Sequence, residues 1–288
     1  MSLKVINLYK MKNKIENLNK TEGLEMYFNP EVAKKFSELE QNEKNFNVAK
    51  SIDNVICQEM KNKKFPVRVA ELGGGSHPDR YDKLFNVLTQ EPKGQIDWVE
   101  ISPYMIDLAK QYLEEKNLEN RKEVINFIES DILEYLSGLK DSSLDFALMK
   151  YTFDHIKDIE TLFQLLQNKL KKQGKLIATM TSLNPQLKSI STNARFLYNG
   201  EEFSVDETRG LQDGDNFTIK FFKVSGDPSQ GFLEGAQTTK YFYSSQKISE
   251  LSKQYNLDIF LGDWKDFVRQ ENQDNLNINQ DILVLTKN

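Results

Sequence analysis

The sequence predicts an α/β protein with a mostly parallel sheet and helices on both of its faces. From residue 67 onward, short β-prone runs alternate with amphipathic helical segments, a pattern typical of repeated β-α units. The first β-prone run ends in three consecutive glycines, Gly73, Gly74 and Gly75. The 288-residue chain, with 39% hydrophobic residues, is long enough and apolar enough for one such domain with additions.

The repeating part of the chain supplies the core elements in order. Candidate strands are residues 67–72, 96–101, 124–129, 144–151 and 175–181. The helices predicted between them are residues 79–89, 103–116, 131–139 and 158–172. A helix at 245–255 and two closing strands at 258–261 and 281–286 would complete the sheet. Sheets of this kind bind ligands at the carboxyl ends of their strands, near the point where the strand order reverses.

The residues before the first strand are predicted to be helical. Residues 3–19 carry apolar side chains at near-helical spacing, and residues 43–61 carry a second apolar stripe. Asn29 and Pro30 mark a helix start between them, because proline suits the first turn of a helix. We therefore expect a helical N-terminal extension over residues 1–64 and a core domain over residues 65–183.

An insertion is predicted where the β-α rhythm stops. A helix at 185–198 and two strands at 217–224 and 236–243 would form an inserted α/β cap over residues 184–243. Residues 244–288 would then complete the core sheet. Residues 266–280, rich in Asn and Gln, are expected to form an exposed loop.

Composition excludes several classes of protein. The net charge of −5 argues against nucleic-acid binding, which usually needs a basic surface. Cys57 is the single cysteine, so no intrachain disulfide forms and a cytoplasmic location is expected. No run of 18 apolar residues is present, so no membrane segment is expected, and no Cys/His cluster predicts a metal site. The oligomeric state stays open, with a homodimer as one alternative.

The glycine run and a later acid point to a nucleotide-like ligand. Glycine lets the backbone approach a ligand closely, although an ordinary glycine-rich turn is the alternative interpretation. Glu100 ends the second predicted strand about 25 residues after the glycines. A carboxylate at that place can accept hydrogen bonds from both ribose hydroxyls. The spacing favours this role over that of a solvated strand-end acid.

Five segments together resemble the class I methyltransferases that use S-adenosylmethionine (SAM). They are residues 69–75 (VAELGGG), 100–110 (EISPYMIDLAK), 128–133 (IESDIL), 144–156 (LDFALMKYTFDHI) and 174–178 (GKLIA). The resemblance covers residues 65–183 and again 240–288. It implies a Rossmann-like seven-stranded sheet, a methyltransferase activity, SAM as cofactor with S-adenosylhomocysteine as product, and no metal.

The resemblance also implies which residues hold the cofactor. Glu100 would bind the ribose, Asp131 the adenine amino group, and the backbone near Glu71 and Gly73 the ammonium group. The full set of expected cofactor contacts is Glu71, Gly73, Gly74, Gly75, Glu100, Ile101, Asp131, Ile132 and Lys150. His77 departs from the pattern, because the family often has a glycine there. An NAD-type dehydrogenase is the alternative, and Glu71 disfavours it since a carboxylate repels a pyrophosphate.

The sequence says less about the residues that bind the methyl acceptor. His155, one of two histidines, is the candidate general base, with a helix-start residue as the alternative. Tyr151 is a candidate for the methyl pocket, and Tyr27, Tyr241 and Tyr243 for acceptor binding, each with core packing as the alternative. The enclosed cap and acidic composition favour a small-molecule acceptor methylated on O, N or C. A protein or RNA methyltransferase and a catalytically silent SAM-binding protein remain rival hypotheses.

Overall fold

The computed structural model describes residues 23–40, 43–60, 63–64, 66–90, 92–181, 194–202, 211–224, 227–263 and 280–288. The predicted helix at 3–19 lies outside these residues, as does nearly all of the predicted loop at 266–280. Within the described part of the chain, no helix combines the length and the apolar character needed to cross a membrane.

Seven α-helices occur within the described residues, together with several short 3-10 helices. In chain order they are α1 (Pro30–Glu40), α2 (Glu43–Met60), α3 (Asp82–Leu88), α4 (Pro103–Glu115), α5 (Ile132–Gly138), α6 (Ile159–Lys169) and α7 (Ser245–Gln254). Several begin at side-chain caps that the sequence predicts. The hydroxyl of Ser102 accepts from the backbone N–H of Met105 at 3.3 Å, just before Pro103.

The main sheet contains seven strands in the order β10-β11-β5-β4-β1-β2-β3. These strands are β1 (Arg68–Leu72), β2 (Gln95–Glu100), β3 (Ile125–Glu129), β4 (Leu144–Met149), β5 (Leu170–Thr181), β10 (Leu257–Asp263) and β11 (Gln280–Lys287). The pairs among β1 to β5 are parallel, whereas β11 runs antiparallel to both β5 and β10. The predicted Rossmann-like, mostly parallel sheet of seven strands is confirmed.

The strand order reverses at β1, which pairs with β2 on one side and β4 on the other. Apolar clusters cover the two faces of the sheet. One joins the sheet to α5, α6 and α7, and the other joins it to α2 and α3. Helices on both faces leave the carboxyl ends of β1, β2 and β4 as the place where a ligand can enter.

The insertion forms a second sheet, which we call the cap sheet. It contains β6 (Ala194–Tyr198), β7 (Glu201–Glu202), β8 (Asn216–Phe222) and β9 (Phe232–Tyr241), in the antiparallel order β7-β6-β8-β9. The predicted helix at 185–198 is wrong over residues 194–198, which form β6. These residues pair with β8 through the register Ala194–Phe221, so tertiary pairing overrides the local helical spacing. Residues 182–193 lie outside the described part of the chain.

Two core boundaries also differ from the predictions. Strand β5 begins at Leu170, not at residue 175, because Leu170 already pairs with Leu144 of β4. The predicted helix at 79–89 is divided into a 3-10 helix, Pro78–Arg80, and α3. Tyr81 lies between the two parts and is fully buried.

Candidate active site

A cleft lies at the carboxyl ends of β1, β2 and β4, where the strand order reverses. Its walls include the glycine loop after β1, the end of β2, the start of α5, the turn after β4, and the N-terminal segment. The alternation of strands and helices in the sequence predicts a ligand site at this edge of the sheet.

The glycine loop presents its backbone to this cleft. Gly73 and Gly75 have φ values of +77° and +63°, which side chains disfavour. The N–H groups of Gly73 and Gly74 donate to the carbonyl of Val99 at 2.8 and 2.9 Å. A Cβ on Gly74 would lie 2.3 Å from the indole nitrogen of Trp98, and that nitrogen donates to the carbonyl of Gly75 at 2.9 Å. Packing therefore requires glycine here.

Glu100 is held rigidly at the rim of the cleft. Its Oε2 accepts from the N–H of Gly75 at 3.0 Å, and its Oε1 accepts from the N–H of Ser102 at 2.9 Å. The residue is 7% exposed, and it lines the cleft. Each carboxylate oxygen accepts more than one hydrogen bond, so both can also receive the hydroxyls of a vicinal diol.

Asp131 and its neighbours form the next part of the wall. Oδ1 of Asp131 caps α5 by accepting from the N–H groups of Leu133 and Glu134 at 2.8 and 3.1 Å. Ile101 and Ile132 line the cleft beside it. Apolar side chains next to a capped carboxylate suit a planar base that carries an amino group.

Glu71 lies beneath the glycine loop and is not among the residues that line the cleft. The hydroxyl of Tyr81 donates to its Oε1 at 3.1 Å, while its Oε2 has no hydrogen bond within the described part of the chain. Burial raises the pKa of Glu71 to about 7, against the opposing effects of the Lys150 charge and the Tyr81 hydrogen bond. The expected contact at Glu71 was with the backbone near Glu71 and Gly73, and the buried side chain of Glu71 does not line the cleft.

Two cations reach the cleft near Glu71. Lys150 lines it and places its Nζ 5.8 Å from the ring centre of Tyr81. Arg80 also lines it and is 2% exposed. The sequence reasoning missed Arg80, although a cation just after a glycine loop is a signal for a ligand carboxylate. Glu71 repels a pyrophosphate, but Lys150 and Arg80 attract it, so the charge of Glu71 does not by itself exclude NAD from the cleft.

His155 lies in the 3-10 helix Phe153–His155 after β4 and lines the cleft. Its Nδ1 is 2.8 Å from the carbonyl oxygen of Thr239 in β9. A carbonyl oxygen only accepts, so Nδ1 carries the proton and Nε2 is the basic nitrogen. Burial and the charge of Lys240 lower the pKa of His155 to about 4, which keeps the imidazole neutral near pH 7.

The lysine that acts on His155 belongs to a buried ion pair. Nζ of Lys240, in β9, lies 3.3 Å from Oδ2 of Asp154, and both side chains are less than 10% exposed. Removing one partner of such a pair leaves an uncompensated buried charge. The pair therefore holds β9 against the turn that carries His155.

Tyr151 and Tyr27 both line the cleft. Tyr151 has a φ of +59°, and its N–H donates to the hydroxyl of Thr179 at 2.7 Å. A non-glycine residue in this conformation is a site of backbone strain, often found beside functional groups. The ring of Tyr27 packs edge-on against Phe36 and His155, with centroid distances of 5.6 and 6.4 Å.

Tyr241 and Tyr243 are not among the residues that line the cleft. The hydroxyl of Tyr243 points to the carbonyls of Ile156 and Lys157, at 3.0 and 2.6 Å. Tyr241 packs against the main apolar core. The structure therefore brings Tyr27, Tyr151 and His155 together and places these two tyrosines behind the turn after β4. The alternation along β9 identified their shared face, but not what that face contacts.

Comparisons with known proteins give one family and a common fold. Residues 81–178 match the family described as "Methyltransferase domain". No curated protein sequence matches the chain.

Three solved structures illustrate the structural likeness. The plantazolicin methyltransferase BamL, in complex with a triazolic desmethylPZN analog and SAH, superposes with a TM-score of 0.56 at 12% identity, over 96% of this chain and 98% of that chain. A protein of Pyrococcus horikoshii OT3 gives a TM-score of 0.54 at 16% identity, over 86% and 94%. A SAM-dependent methyltransferase of Clostridium acetobutylicum gives 0.52 at 15%, over 83% and 91%. At these identities the likeness establishes the fold.

Proposed function

We propose that this chain is a SAM-dependent methyltransferase that methylates a small organic acceptor, since residues 81–178 match a methyltransferase domain and the chain shares its fold with SAM-dependent methyltransferases. SAM supplies a methyl group activated by its sulfonium and leaves as S-adenosylhomocysteine (SAH). The favoured acceptor presents an O–H or N–H group to the cleft. The observation that carries this proposal is the fixed tautomer of His155, whose Nε2 is the basic nitrogen.

The residues of the cleft fit SAM. Gly73, Gly74 and Gly75 line the cleft without side chains, so a ligand meets backbone there. Glu100 offers both carboxylate oxygens to the ribose diol, and Asp131 accepts from the adenine amino group. Arg80 is placed to bind the carboxylate of the methionine part.

The carboxyl group of Glu71 attracts the ammonium group of the methionine part, and the charge of Lys150 partly offsets that attraction. Oε2 of Glu71 is buried without a hydrogen bond among the described residues. A buried carboxylate oxygen in that condition is costly unless a cation comes near. We infer that the field of Glu71, partly balanced by Lys150, favours a ligand that brings its own positive charge.

His155 accepts the proton that the acceptor loses. Its Nδ1–H bond to Thr239 fixes the ring, so Nε2 keeps its lone pair at neutral pH. A pKa of about 4 makes His155 a weak base. A weak base suffices where the acceptor oxygen or nitrogen becomes acidic as its bond to the methyl group forms. Tyr151, at the end of β4, shapes the wall beside this group.

The walls of the acceptor end support a small molecule. Leu24, Tyr27, Phe36 and Ile156 line the cleft with apolar and aromatic surface. The N-terminal segment covers one side of the cleft through Leu24, Tyr27 and Phe36. We propose that residues 1–64 form an N-terminal extension that covers the site, that 65–183 and 244–288 form the catalytic core, and that 184–243 form the cap. BamL, which binds a natural-product analog on this fold, is consistent with such an arrangement.

The test is binding followed by turnover. Calorimetry should detect micromolar-range binding of SAM and SAH, and binding of NAD should be weaker. A panel of phenols, carboxylic acids, amines, a peptide mixture and RNA is then incubated with SAM, and SAH release is measured. Release with one of the small molecules supports the proposal. Release only with peptide or RNA, or SAM binding without release across the panel, contradicts it.

A further inference from the structure

The described N-terminal residues 23–40, which we call the lid, close one side of the cleft. The lid contains the 3-10 helix Glu25–Phe28 and helix α1. Leu24, Tyr27 and Phe36 of the lid line the cleft directly. A ligand bound at the glycine loop is therefore covered by this segment.

Apolar packing attaches the lid to the rest of the molecule. Val32, Ala33 and Phe36 form a cluster with Met105 of α4 and Ala236 of β9. Burial of apolar surface holds the lid down but has no directional preference. Polar contacts add a directional constraint on α1 over the glycine loop.

One set of polar contacts joins α1 to the loop. Oγ of Ser37 lies 2.6 Å from Oγ of Ser76, and Nε2 of His77 lies 3.0 Å from the carbonyl oxygen of Ser37. Ser37 and Ser76 are fully buried, and His77 is 3% exposed. Since the carbonyl can only accept, Nε2 of His77 donates to it.

The ring of His77 is fixed from two sides. It stacks on Tyr112 of α4 at a centroid distance of 4.7 Å and an interplanar angle of 20°. Its Nδ1 lies 3.4 Å from Oδ1 of Asp79, which also pairs with Lys116. A glycine, often found at this position in the family, would supply neither the donor nor the stacked ring.

We propose that Ser37, Ser76 and His77 form a latch that holds the lid closed over the cofactor, and that Ser37 and His77 are positioning residues for it. This proposal rests on the proposed function. Ser76 and His77 directly follow Gly75, and both line the cleft. The latch thus joins the two walls that face each other across the methionine end of the cofactor.

Two variants break the latch without weakening α1 itself. Ser37→Ala removes the hydroxyl, and alanine has the higher helix propensity, so the helix is not weakened locally. His77→Gly removes the donor and the ring. His77→Gln keeps an amide N–H that can donate to the Ser37 carbonyl. Tyr135→Phe is the stability control, because it removes a buried hydrogen bond to Asp97 outside the cleft.

The experiment measures amide hydrogen exchange of α1 in ligand-free protein and the dissociation rate of SAH by stopped-flow fluorescence. We expect faster exchange over residues 30–40 and SAH dissociation about tenfold faster in Ser37→Ala and His77→Gly, the effect of roughly one lost hydrogen bond. His77→Gln should recover most of both changes. Tyr135→Phe should change neither by a comparable amount.

Three results would overturn the latch: unchanged SAH dissociation in both variants, no recovery with His77→Gln, or an equal effect of Tyr135→Phe. Wild-type protein that binds no SAH overturns the proposed function and with it the cofactor role of the latch. Wild-type protein that binds SAH but is insensitive to the variants overturns the latch alone.

Discussion

Nδ1 of His155 lies 2.8 Å from the carbonyl oxygen of Thr239, and this contact ties the turn after β4 to the cap sheet. The two residues are 84 positions apart in the chain. The bond decides which nitrogen of His155 is basic, so the cap contributes to the chemistry of the core.

His155→Gln should reduce turnover by about 10²- to 10⁴-fold, because the proton acceptor is lost while the shape of the cleft is nearly kept. Glutamine can still donate an N–H to Thr239, so β9 should stay in place. SAH affinity, measured by calorimetry on the same variant, should remain within about threefold of wild type. A variant that keeps wild-type turnover would show that His155 is a wall residue and not a base.

The stability of the wild type relative to His155→Gln should depend on pH. The pKa of His155 is lowered from 6.5 to about 4 in the folded state. Between these values the unfolded chain binds a proton that the folded chain does not, so stability is lost as the pH falls from 6.5 toward 4. This change in the pKa of His155 alters the free energy of unfolding by at most about 3 kcal/mol. Urea unfolding of both proteins at pH 7 and pH 4.5 measures the difference between their free energies of unfolding. An equal difference at the two pH values would contradict the lowered pKa of His155.

Glu71→Gln should show the opposite pH dependence. The pKa of Glu71 is raised from 4.5 to about 7, with burial as the main cause. Below pH 4.5 the group contributes its full stabilisation, which is lost as the pH rises through 7. The stability of the wild type relative to Glu71→Gln should therefore fall from pH 4.5 to pH 7.5, as measured by urea unfolding. A difference that rises over this range would show that Lys150 dominates the environment of Glu71.

Glu100→Ala should weaken SAM binding by about 1–3 kcal/mol, through loss of a charged hydrogen-bond acceptor. Glu129 is the matched control, because it ends the neighbouring strand in register with Glu100 while its side chain is exposed. Glu129→Ala should leave the affinity unchanged. Equal effects of the two substitutions in calorimetry would remove Glu100 from the ribose role.

Gly74→Ala should destabilise the protein by about 1–3 kcal/mol and abolish SAM binding, because the added methyl group meets the buried indole of Trp98. Gly138→Ala is the control, since an added Cβ there meets nothing within 4 Å. It should be neutral or slightly stabilising. Thermal unfolding and SAH titration of both variants provide the test. A Gly74→Ala protein that binds SAH normally would show that the loop accommodates a methyl group at this position.

Periodicity and local motifs predicted most of the core. The alternation of β-prone and helical runs located the five parallel strands to within a few residues, because each run must bury one face or both. The Ser-Pro sequence at Ser102 and Pro103 located the start of α4. The helix predicted over 194–198 failed because β8 pairs with these residues, and no local signal carries information about a partner 20 or more residues away.

The candidate site was predicted in part. Glu100, Asp131 and the glycines lie in the cleft because they end or follow adjacent parallel strands, whose carboxyl ends meet at one edge. Glu71 precedes the loop in the sequence, and the backbone near it was expected to contact the ligand, while its side chain is buried and does not line the cleft. The alternation of side chains along a strand does not by itself predict which face of β1 is turned toward the cleft.

The sequence by itself determined the fold class, the order of the core strands and helices, and the edge of the sheet that carries the site. These depend on short-range spacing, which a single chain records directly. Only the tertiary structure decided that Arg80 reaches the cleft, that Tyr241 and Tyr243 do not line it, and that His77 binds the lid. Those outcomes depend on contacts between distant segments, and a contact across 40 or more residues leaves no periodic trace in the sequence.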